Sequence, residues 1–199
     1  SGQVCISIQR VYIHASKYDD FLDSIINETQ AFKHGDPLDE KVTMGPMIDM
    51  ENAERIESWV NEAVADGAKI QTGGKRDKSY YPPTILTNVN PNLPVACSEA
   101  FGPILIVNSY TNFNDAIKAV NNTDFGLQAG VFTNQMNKAL RAFNRLDVGG
   151  VVINDIPTFR VDNMPYGGIK DSGFGREGIK YSLQEMTEIK LLVYNHLME

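Results

Sequence analysis

Short β-favouring runs alternate with longer segments of helical periodicity along most of this chain, and this alternation constrains its fold more than any other feature. The runs lie at residues 10–14, 69–72, 103–110, 130–133 and 150–154. Strands that alternate with helices pack as a parallel or mostly parallel sheet covered by helices on both faces. The sequence therefore predicts an α/β domain with three αβα layers around a mostly parallel, twisted sheet.

Four amphipathic helices are predicted by apolar residues that recur at helical spacing. The first occupies residues 16–32 and opens at Ser16 and Asp19, which have the spacing of a capping box. The second begins after Asp49 and ends at Gly67. The third and fourth each follow an asparagine that is available as a cap. The apolar faces of the last three are Ala53, Ile56, Val60, Ala63 and Val64; Phe113, Ala116, Ile117 and Val120; and Met136, Ala139, Leu140 and Phe143.

The composition disfavours several classes of protein. The 199 residues, 42% of them hydrophobic, suffice for one compact domain. A net charge of −7 disfavours nucleic acid as a partner, and no apolar run approaches the roughly 20 residues of a membrane-spanning helix. We expect a cytoplasmic protein, because no leader opens the sequence and Cys5 and Cys97 form no disulfide or metal-site pattern. The isolated histidines are given no catalytic role: His14, His34 and His196.

One long irregular stretch, residues 155–177, is rich in glycine and proline. A loop of this length inside a compact domain is usually functional. Residues 173–178 match the G-x-G-x-x-G pattern of dinucleotide-binding folds, but only 21 residues follow Gly178. The βαβ unit in which that pattern works needs about 30 residues. We therefore interpret the match as a glycine-rich turn and expect any nucleotide-binding domain outside this chain.

Six motifs occur along the chain in a fixed order. They are Gly2-Gln3-Val4-Cys5, Gly45-Pro46 after Gly35-Asp36-Pro37, Glu99-Ala100-Phe101-Gly102-Pro103, Asn154 at the end of a strand, Pro165-Tyr166-Gly167-Gly168 with Lys170 and Ser172, and Glu185-Met186-Thr187-Glu188. The set resembles the aldehyde dehydrogenase superfamily, and residues 157–162 look most like its lactaldehyde and semialdehyde branch. The resemblance covers essentially the whole chain, but only the C-terminal, catalytic part of the family's architecture.

The resemblance implies a single catalytic domain over residues 1–199, from which the N-terminal coenzyme-binding domain is absent. It also implies a homo-oligomer, with a C-terminal oligomerisation strand at about residues 189–194. From composition alone, this strand could equally add to the domain's own sheet. Without the coenzyme domain, the isolated chain is expected to be inactive.

By resemblance, Cys5 is the nucleophile in an NAD- or NADP-dependent oxidation of an aldehyde to a carboxylic acid. Its thiolate adds to the carbonyl to give a thiohemiacetal, and a thioester follows once hydride has left for the nicotinamide. The backbone N–H of Cys5 is one donor to the negative oxygen. The family's second donor, an asparagine, and its glutamate general base belong to the missing part. A lone cysteine is more often a small packed residue, which is our interpretation of Cys97.

Four residues are implied to bind the coenzyme. Glu99 matches a carboxylate that accepts hydrogen bonds from the nicotinamide ribose, and Phe101 matches a ring beside the nicotinamide. Asn52 and Arg55, on the second helix, match polar ribose contacts of some relatives. The competing interpretations are a surface acid for Glu99, a core ring for Phe101 and ordinary helix polarity for Asn52 and Arg55.

Four further residues are implied to line the substrate pocket. Asn154 helps to build its wall or serves as a turn residue. Phe159 and Met164 face the tail of the aldehyde. Arg160 is the one cation of residues 158–164, and it either binds an anionic substrate or is an ordinary solvated arginine.

Two other functions remain open. The chain could be a folding or assembly module of such an enzyme, without activity of its own; an assay with aldehyde and NAD(P) distinguishes this case. A cysteine hydrolase is disfavoured because no histidine has the placement of a thiol base. Thiol-dependent ester hydrolysis without coenzyme would favour it.

Overall fold

The computed structural model describes residues 1–195, and residues 196–199, with His196 among them, lie outside the described part. The helices are α1 (Tyr18–Gln30), α2 (Met50–Ala65), α3 (Pro94–Cys97), α4 (Phe113–Asn121), α5 (Met136–Arg145) and α6 (Ile179–Glu185). The strands are β1 (Arg10–His14), β2 (Lys69–Thr72), β3 (Thr84–Thr87), β4 (Ile104–Tyr110), β5 (Phe125–Gly126), β6 (Gln128–Val131), β7 (Gly150–Ile153) and β8 (Ile169–Lys170). No helix within residues 1–195 has both the length and the apolar character needed to span a membrane.

The main sheet has four strands in the order β1-β4-β3-β2. Strands β1 and β3 both pair with β4 in parallel, and β2 is an antiparallel edge. Strands β6 and β7 form a separate parallel pair, and β5 and β8 form an antiparallel pair. The predicted mostly parallel α/β sheet is confirmed, although the described strands divide into three hydrogen-bonded groups.

The central strands of the main sheet are buried on both faces, because successive side chains of a strand point to opposite sides. Leu86 and Ile106 pack with α2 in the larger core cluster. Their neighbours Ile85 and Val107 pack with α1 in a second cluster. Helices α1 and α2 therefore cover opposite faces of the sheet, which is the predicted αβα layering.

Helix α2 has the predicted apolar face, with one exception. The carboxylate of Asp49 accepts a hydrogen bond from the N–H of Asn52 at 2.7 Å, which caps the helix and holds the pKa of Asp49 below its usual value. The prediction for Val64 was wrong, because its side chain is 41% exposed. It lies about 100° around the helix from Ala63, at the margin of the buried face. The buried residues are Ala53, Ile56, Val60 and Ala63.

The ends of three other helices show how local hydrogen bonds decide a boundary. The capping box at Ser16 was wrong: Ser16 lies in a 3-10 turn, Ala15–Lys17, and its N–H donates to Nδ1 of His14 at 3.3 Å. Helix α1 also ends before Phe32. Helix α5 follows Gln135 rather than an asparagine and has no side-chain cap. Asn112 caps α4 as predicted.

Five elements are missing from the sequence prediction, namely β3, α3, β5, β8 and α6, and one is displaced. Strand β3 has only four residues and directly follows Pro82 and Pro83, so it is too short for a periodic signal. Helix α6 was also not predicted. Strand β6 begins at Gln128, before the predicted residues 130–133. The stretch 155–177 is irregular apart from β8.

The C-terminal tail, residues 189–194, forms no strand in the described part of the chain. The alternative in which it joins the domain's own sheet is therefore wrong. Ile189, Leu191 and Leu192 are 99%, 84% and 87% exposed. Such a run of exposed apolar side chains favours association with another protein surface, which stays a prediction.

We expect the 199-residue chain to self-associate through this tail. Deleting residues 189–199 should convert the associated chain to a monomer, because the exposed apolar run is then gone. A control deletion of residues 195–199 keeps the run and should leave the association unchanged. Light scattering measures both masses, and a chain that is monomeric before and after the longer deletion would contradict the prediction.

Candidate active site

Cys5 lies in a tight turn shortly before β1, and its thiol is exposed. The N–H of Ser7 donates to the carbonyl of Val4 at 3.0 Å, which closes the turn around Cys5. Within residues 1–195, the N–H of Cys5 has no hydrogen-bond acceptor, so it is available as a donor. Cys97 is only half-buried, and its thiol donates to the carbonyl of Asn92 at 3.5 Å.

The segment that carries Cys5 is fixed by two residues that precede it, Gln3 and Gly2. The side chain of Gln3 donates to the carbonyl of Pro46 at 3.2 Å and accepts from the N–H of Ile48 at 2.7 Å. Gly2 has φ +72°, and a Cβ there would overlap the carbonyl oxygen of Gly102. These contacts place the thiol segment directly against the Glu99 to Pro103 motif.

The motif itself is held by the side-chain amide of Gln9. Its Nε2 donates to the carbonyls of Val95 and Ser98 at 2.9 and 2.8 Å. Its Oε1 accepts from the N–H of Ala100 at 3.1 Å. An amide suits this position because it can donate twice and accept at the same time.

Arg55 supports the same motif from helix α2. Its Nη2 donates to the carbonyl of Ala100 at 2.8 Å, and its guanidinium group stacks 4.6 Å above the ring of Trp59. Asn52 accepts from Nε and Nη2 of Arg55 at 3.4 and 3.3 Å. Both predicted ribose ligands are thus engaged with the protein and position the residues between Glu99 and Phe101. Their contact with a ribose stays a prediction.

Glu99, Phe101 and Cys5 line one cleft of about 770 Å³. Glu99 is exposed and makes no hydrogen bond or ion pair within the described residues. Phe101 is 41% exposed and has φ +48°, a left-handed conformation that is unusual for an aromatic residue. The competing interpretation of Phe101 as a core ring is therefore wrong. An exposed thiol, an unpaired carboxylate and an exposed ring in one cleft can bind a ligand and attack it.

Asn154 ends strand β7 in a left-handed conformation, with φ +60°. Its N–H donates to the carbonyl of Val131 at 2.9 Å, and its Oδ1 accepts from the N–H of Thr133 at 2.8 Å. These bonds are those of a turn residue, since asparagine tolerates this conformation and bonds locally. Its predicted place in a substrate pocket stays a prediction.

Arg160 is held beside the thiol by two partners. Its Nη2 lies 2.9 Å from Oε2 of Glu177, and its guanidinium group lies 4.2 Å above the ring of Tyr166. The hydroxyl of Tyr166 is 3.1 Å from the sulfur of Cys5. Arg160 is therefore separated from the candidate nucleophile by one aromatic ring, while 42% of its side chain is exposed.

Tyr166 is 6% exposed, and burial is the main reason that its pKa is raised above the usual tyrosine value. The hydrogen bond with Cys5 and the charge of that thiolate raise the pKa further, as does Glu177, whereas Arg160 lowers it. Raising the pKa of an acid keeps it protonated to higher pH. The hydroxyl is therefore held in its protonated form, in which it can donate a hydrogen bond to the sulfur of Cys5.

Phe159 and Met164 lie on either side of Arg160 in the same loop. The ring of Phe159 is 48% exposed, as expected for a residue at an entrance. The sulfur of Met164 instead accepts from the N–H of Val161 at 3.4 Å and folds back on its own loop. Neither side chain lines the cleft that contains Cys5. Their contact with an aldehyde stays a prediction.

Three functional candidates emerge only from the structure: Gln9, Tyr166 and Glu177. Tyr166 belongs to the Pro-Tyr-Gly-Gly motif, which was a usable signal, but nothing in the sequence predicts its contact with Cys5. Gln9 and Glu177 have no motif of their own, because each acts through partners brought near by tertiary packing. Within residues 1–195, no group of three or more metal-ligating side chains comes together.

The sequence profile of the aldehyde dehydrogenase family matches residues 1–192. A relative, 3-sulfolactaldehyde dehydrogenase of Priestia aryabhattai, is 49% identical over 195 residues, which are 98% of this chain and 41% of the relative. The chain therefore spans about two fifths of the length of the curated protein that it matches.

Two solved structures have the same fold. Aldehyde dehydrogenase 21 of Physcomitrella patens, in complex with the reaction product succinate, has a TM-score of 0.95 and 44% identity, covering 97% of this chain and 40% of the other. Glyceraldehyde-3-phosphate dehydrogenase GapN of Methanocaldococcus jannaschii, complexed with NADP, has a TM-score of 0.90 and 44% identity. The match covers 95% of this chain and 41% of the other.

We expect Gln9→Glu to lower the free energy of unfolding by about 1–3 kcal/mol, because a carboxylate repels the two carbonyls to which the amide donates. Chemical denaturation measures this loss, and hydrogen exchange at the N–H of Ala100 reports loosening of the motif. Gln71→Glu is the matched control, since Gln71 donates to a hydroxyl, that of Thr87 at 2.8 Å, which can turn and donate instead. Equal stability of the two variants would contradict the prediction.

Proposed function

The chain belongs to the aldehyde dehydrogenase family, and on this premise we propose that it supplies the nucleophilic thiol of an enzyme that oxidises an aldehyde to a carboxylic acid. The observation that carries the proposal is the exposed thiol of Cys5 in one cleft with the unpaired carboxylate of Glu99. An accessible sulfur with an adjacent binding group is what covalent catalysis on a bound substrate requires. Since the chain spans about two fifths of its relatives, the rest of the site is proposed to lie outside it.

The first step forms a bond between the sulfur of Cys5 and the carbonyl carbon of the aldehyde. The π electron pair moves to the oxygen, and the unpaired N–H of Cys5 donates a hydrogen bond to the charge that develops there. A nicotinamide coenzyme, NAD or NADP, supplies the hydride acceptor when it is bound. Loss of the hydride from the substrate carbon leaves a thioester on Cys5, which water cleaves, releasing the acid and restoring the thiol. We propose that the base for this last step lies outside the chain.

Glu99 and Phe101 fit the nicotinamide end of such a coenzyme. The carboxylate of Glu99 offers two acceptors to a diol, and it has no partner within the described residues that would compete. The ring of Phe101 is exposed in the same cleft. Arg55 acts behind them by donating to the carbonyl of Ala100, and Asn52 accepts from the guanidinium group of Arg55. The NADP complex of a relative with the same fold supports this assignment.

The proposed substrate is an aldehyde that carries an anionic group. Arg160 supports this choice: one nitrogen holds Glu177, the side chain is partly exposed, and one ring separates it from Cys5. A guanidinium group binds carboxylate, sulfonate and phosphate oxygens through paired donors. The names and ligands of the three relatives, sulfolactaldehyde, succinate and glyceraldehyde 3-phosphate, all contain such an anion. Phe159 and Met164 flank Arg160 in the same loop, and their contact with the aldehyde is part of the proposal.

In the enzyme that contains this chain, we expect Cys5→Ala to abolish aldehyde-dependent reduction of NAD(P) while coenzyme binding persists. Absorbance of reduced nicotinamide measures turnover, and fluorescence titration measures binding. Cys97→Ala is the control and should keep full turnover, because its thiol bonds the carbonyl of Asn92 and the hydroxyl of Ser98 and makes no hydrogen bond to Cys5. The 199-residue chain alone should reduce no coenzyme. Turnover near the wild-type rate in Cys5→Ala would refute the function.

The substrate class is tested separately by Arg160→Met. We expect KM for succinic semialdehyde to rise about tenfold or more, since a charge-assisted hydrogen bond is lost, while KM for propanal stays unchanged. Arg141→Met is the control, because Arg141 is an arginine on α5 that donates to Asn114 at 3.3 Å. Equal effects of Arg160→Met on both aldehydes would contradict an anionic substrate without touching the role of Cys5.

A further inference from the structure

We propose that the hydroxyl of Tyr166 is a catalytic group that donates a hydrogen bond to the thiolate of Cys5 and so stabilises the nucleophile before it attacks. This inference rests on the proposed role of Cys5 and adds a residue to it. The geometric basis is the 3.1 Å separation between Oη of Tyr166 and Sγ of Cys5, across 161 residues of sequence. Among the described residues, no other side chain makes a hydrogen bond to this sulfur.

Tyr166 is held in place by Glu177 and Arg160. Little conformational entropy is therefore lost when its hydroxyl points at the sulfur. The N–H of Tyr166 donates to the carbonyl of Glu177 at 3.1 Å, and the N–H of Glu177 donates back at 2.6 Å. Arg160 covers one face of the ring and is itself tied to the Glu177 side chain. A donor that is already fixed stabilises a charge more than one that must first be ordered.

The direction of the hydrogen bond follows from the state of the hydroxyl. Burial raises the pKa of Tyr166 above its usual value, so the phenol keeps its proton when the thiol gives its own proton to water. A thiolate has no hydrogen to donate, and Tyr166 must then be the donor. A hydrogen bond to the charged form favours that form.

The surrounding charges are the same in a chain with or without this hydroxyl. On the loop side they are Arg160 and Glu177, which neutralise each other. Across the cleft, the charged or titratable residues are Arg10, Tyr12, His14, Lys17, Cys97, Glu99, Tyr110 and Asp171. A difference between the wild-type chain and Tyr166→Phe therefore isolates the hydroxyl, since the ring and all of these groups remain.

A stabilised thiolate forms at lower pH but is intrinsically a weaker nucleophile, with a Brønsted coefficient of about 0.4–0.5. These two effects change the reaction rate in opposite directions at low pH and on the alkaline plateau. If Tyr166→Phe moves the midpoint of thiolate formation up by about one pH unit, the observed reaction becomes about threefold slower at low pH and about threefold faster on the alkaline plateau. A variant that merely loosens the turn around Cys5 would change the rate in one direction at every pH.

The test uses the 199-residue chain with Cys97→Ala, so that Cys5 is the one thiol. Its thiolate attacks the neutral reagent 2,2′-dithiodipyridine, forming a mixed disulfide and releasing thiopyridone, whose absorbance gives the rate from pH 6 to 11. Tyr166→Phe should show the raised midpoint and the crossing profiles. Tyr18→Phe is the matched control, because it also loses a hydroxyl bond, to the carbonyl of Val107 at 3.3 Å.

Coincident midpoints in Tyr166→Phe and the parent chain would overturn the proposal. Loss of cooperative unfolding in Tyr166→Phe, followed by circular dichroism, would also overturn it, because the hydroxyl would then be needed for folding. The reagent requires neither aldehyde nor coenzyme. A failed proposal for Tyr166 therefore remains distinguishable from a failed function, which the turnover of Cys5→Ala decides.

Discussion

The amide of Gln9 donates to two carbonyls and accepts from one N–H at the same time, and the geometry of the site depends on this arrangement. Its own carbonyl accepts from the N–H of Ile106 at 2.9 Å, which ties it to the internal strand β4 of the main sheet. Cys5 lies shortly before it on the same segment. The thiol and the carboxylate of Glu99 are thereby positioned by one anchor in a buried sheet rather than by two independent loops.

The other half of the site comes from a part of the chain with its own strands. Strands β6 and β7 pair with each other and, among the described residues, share no ladder with the main sheet. Strand β6 lines the cleft at Cys5 together with β1 of the main sheet. The contact between Cys5 and Tyr166, which follows β7 in the chain, joins the two parts at the candidate nucleophile. The reactivity of the thiol is therefore sensitive to their relative position, because a hydrogen bond to sulfur weakens steeply with distance and angle.

Local periodicity predicted the elements whose partners lie close in sequence. Strand β1 and the start of α2 were placed correctly, since a β-branched run and the cap at Asp49 are local signals. The exposure of Val64 and the absence of a strand at residues 189–194 depend on what packs nearby, which composition does not encode. The motifs identified the family, and the nucleophilic role that they imply for Cys5 stays a proposal. They could not predict that Gln9 holds the Glu99 to Pro103 motif, because its three hydrogen-bond partners meet only when the sheet has formed.

Phe101 combines a strained backbone with an exposed ring. A left-handed conformation costs a residue with a Cβ about 1–3 kcal/mol, and it persists only when neighbouring contacts impose it. Here the bonds of Gln9 and Arg55 to Ala100 supply those contacts. Glycine at position 101 would relieve the strain and remove the ring that faces the cleft. Thermal stability and the coenzyme contact that we propose for this ring would therefore favour different residues at position 101.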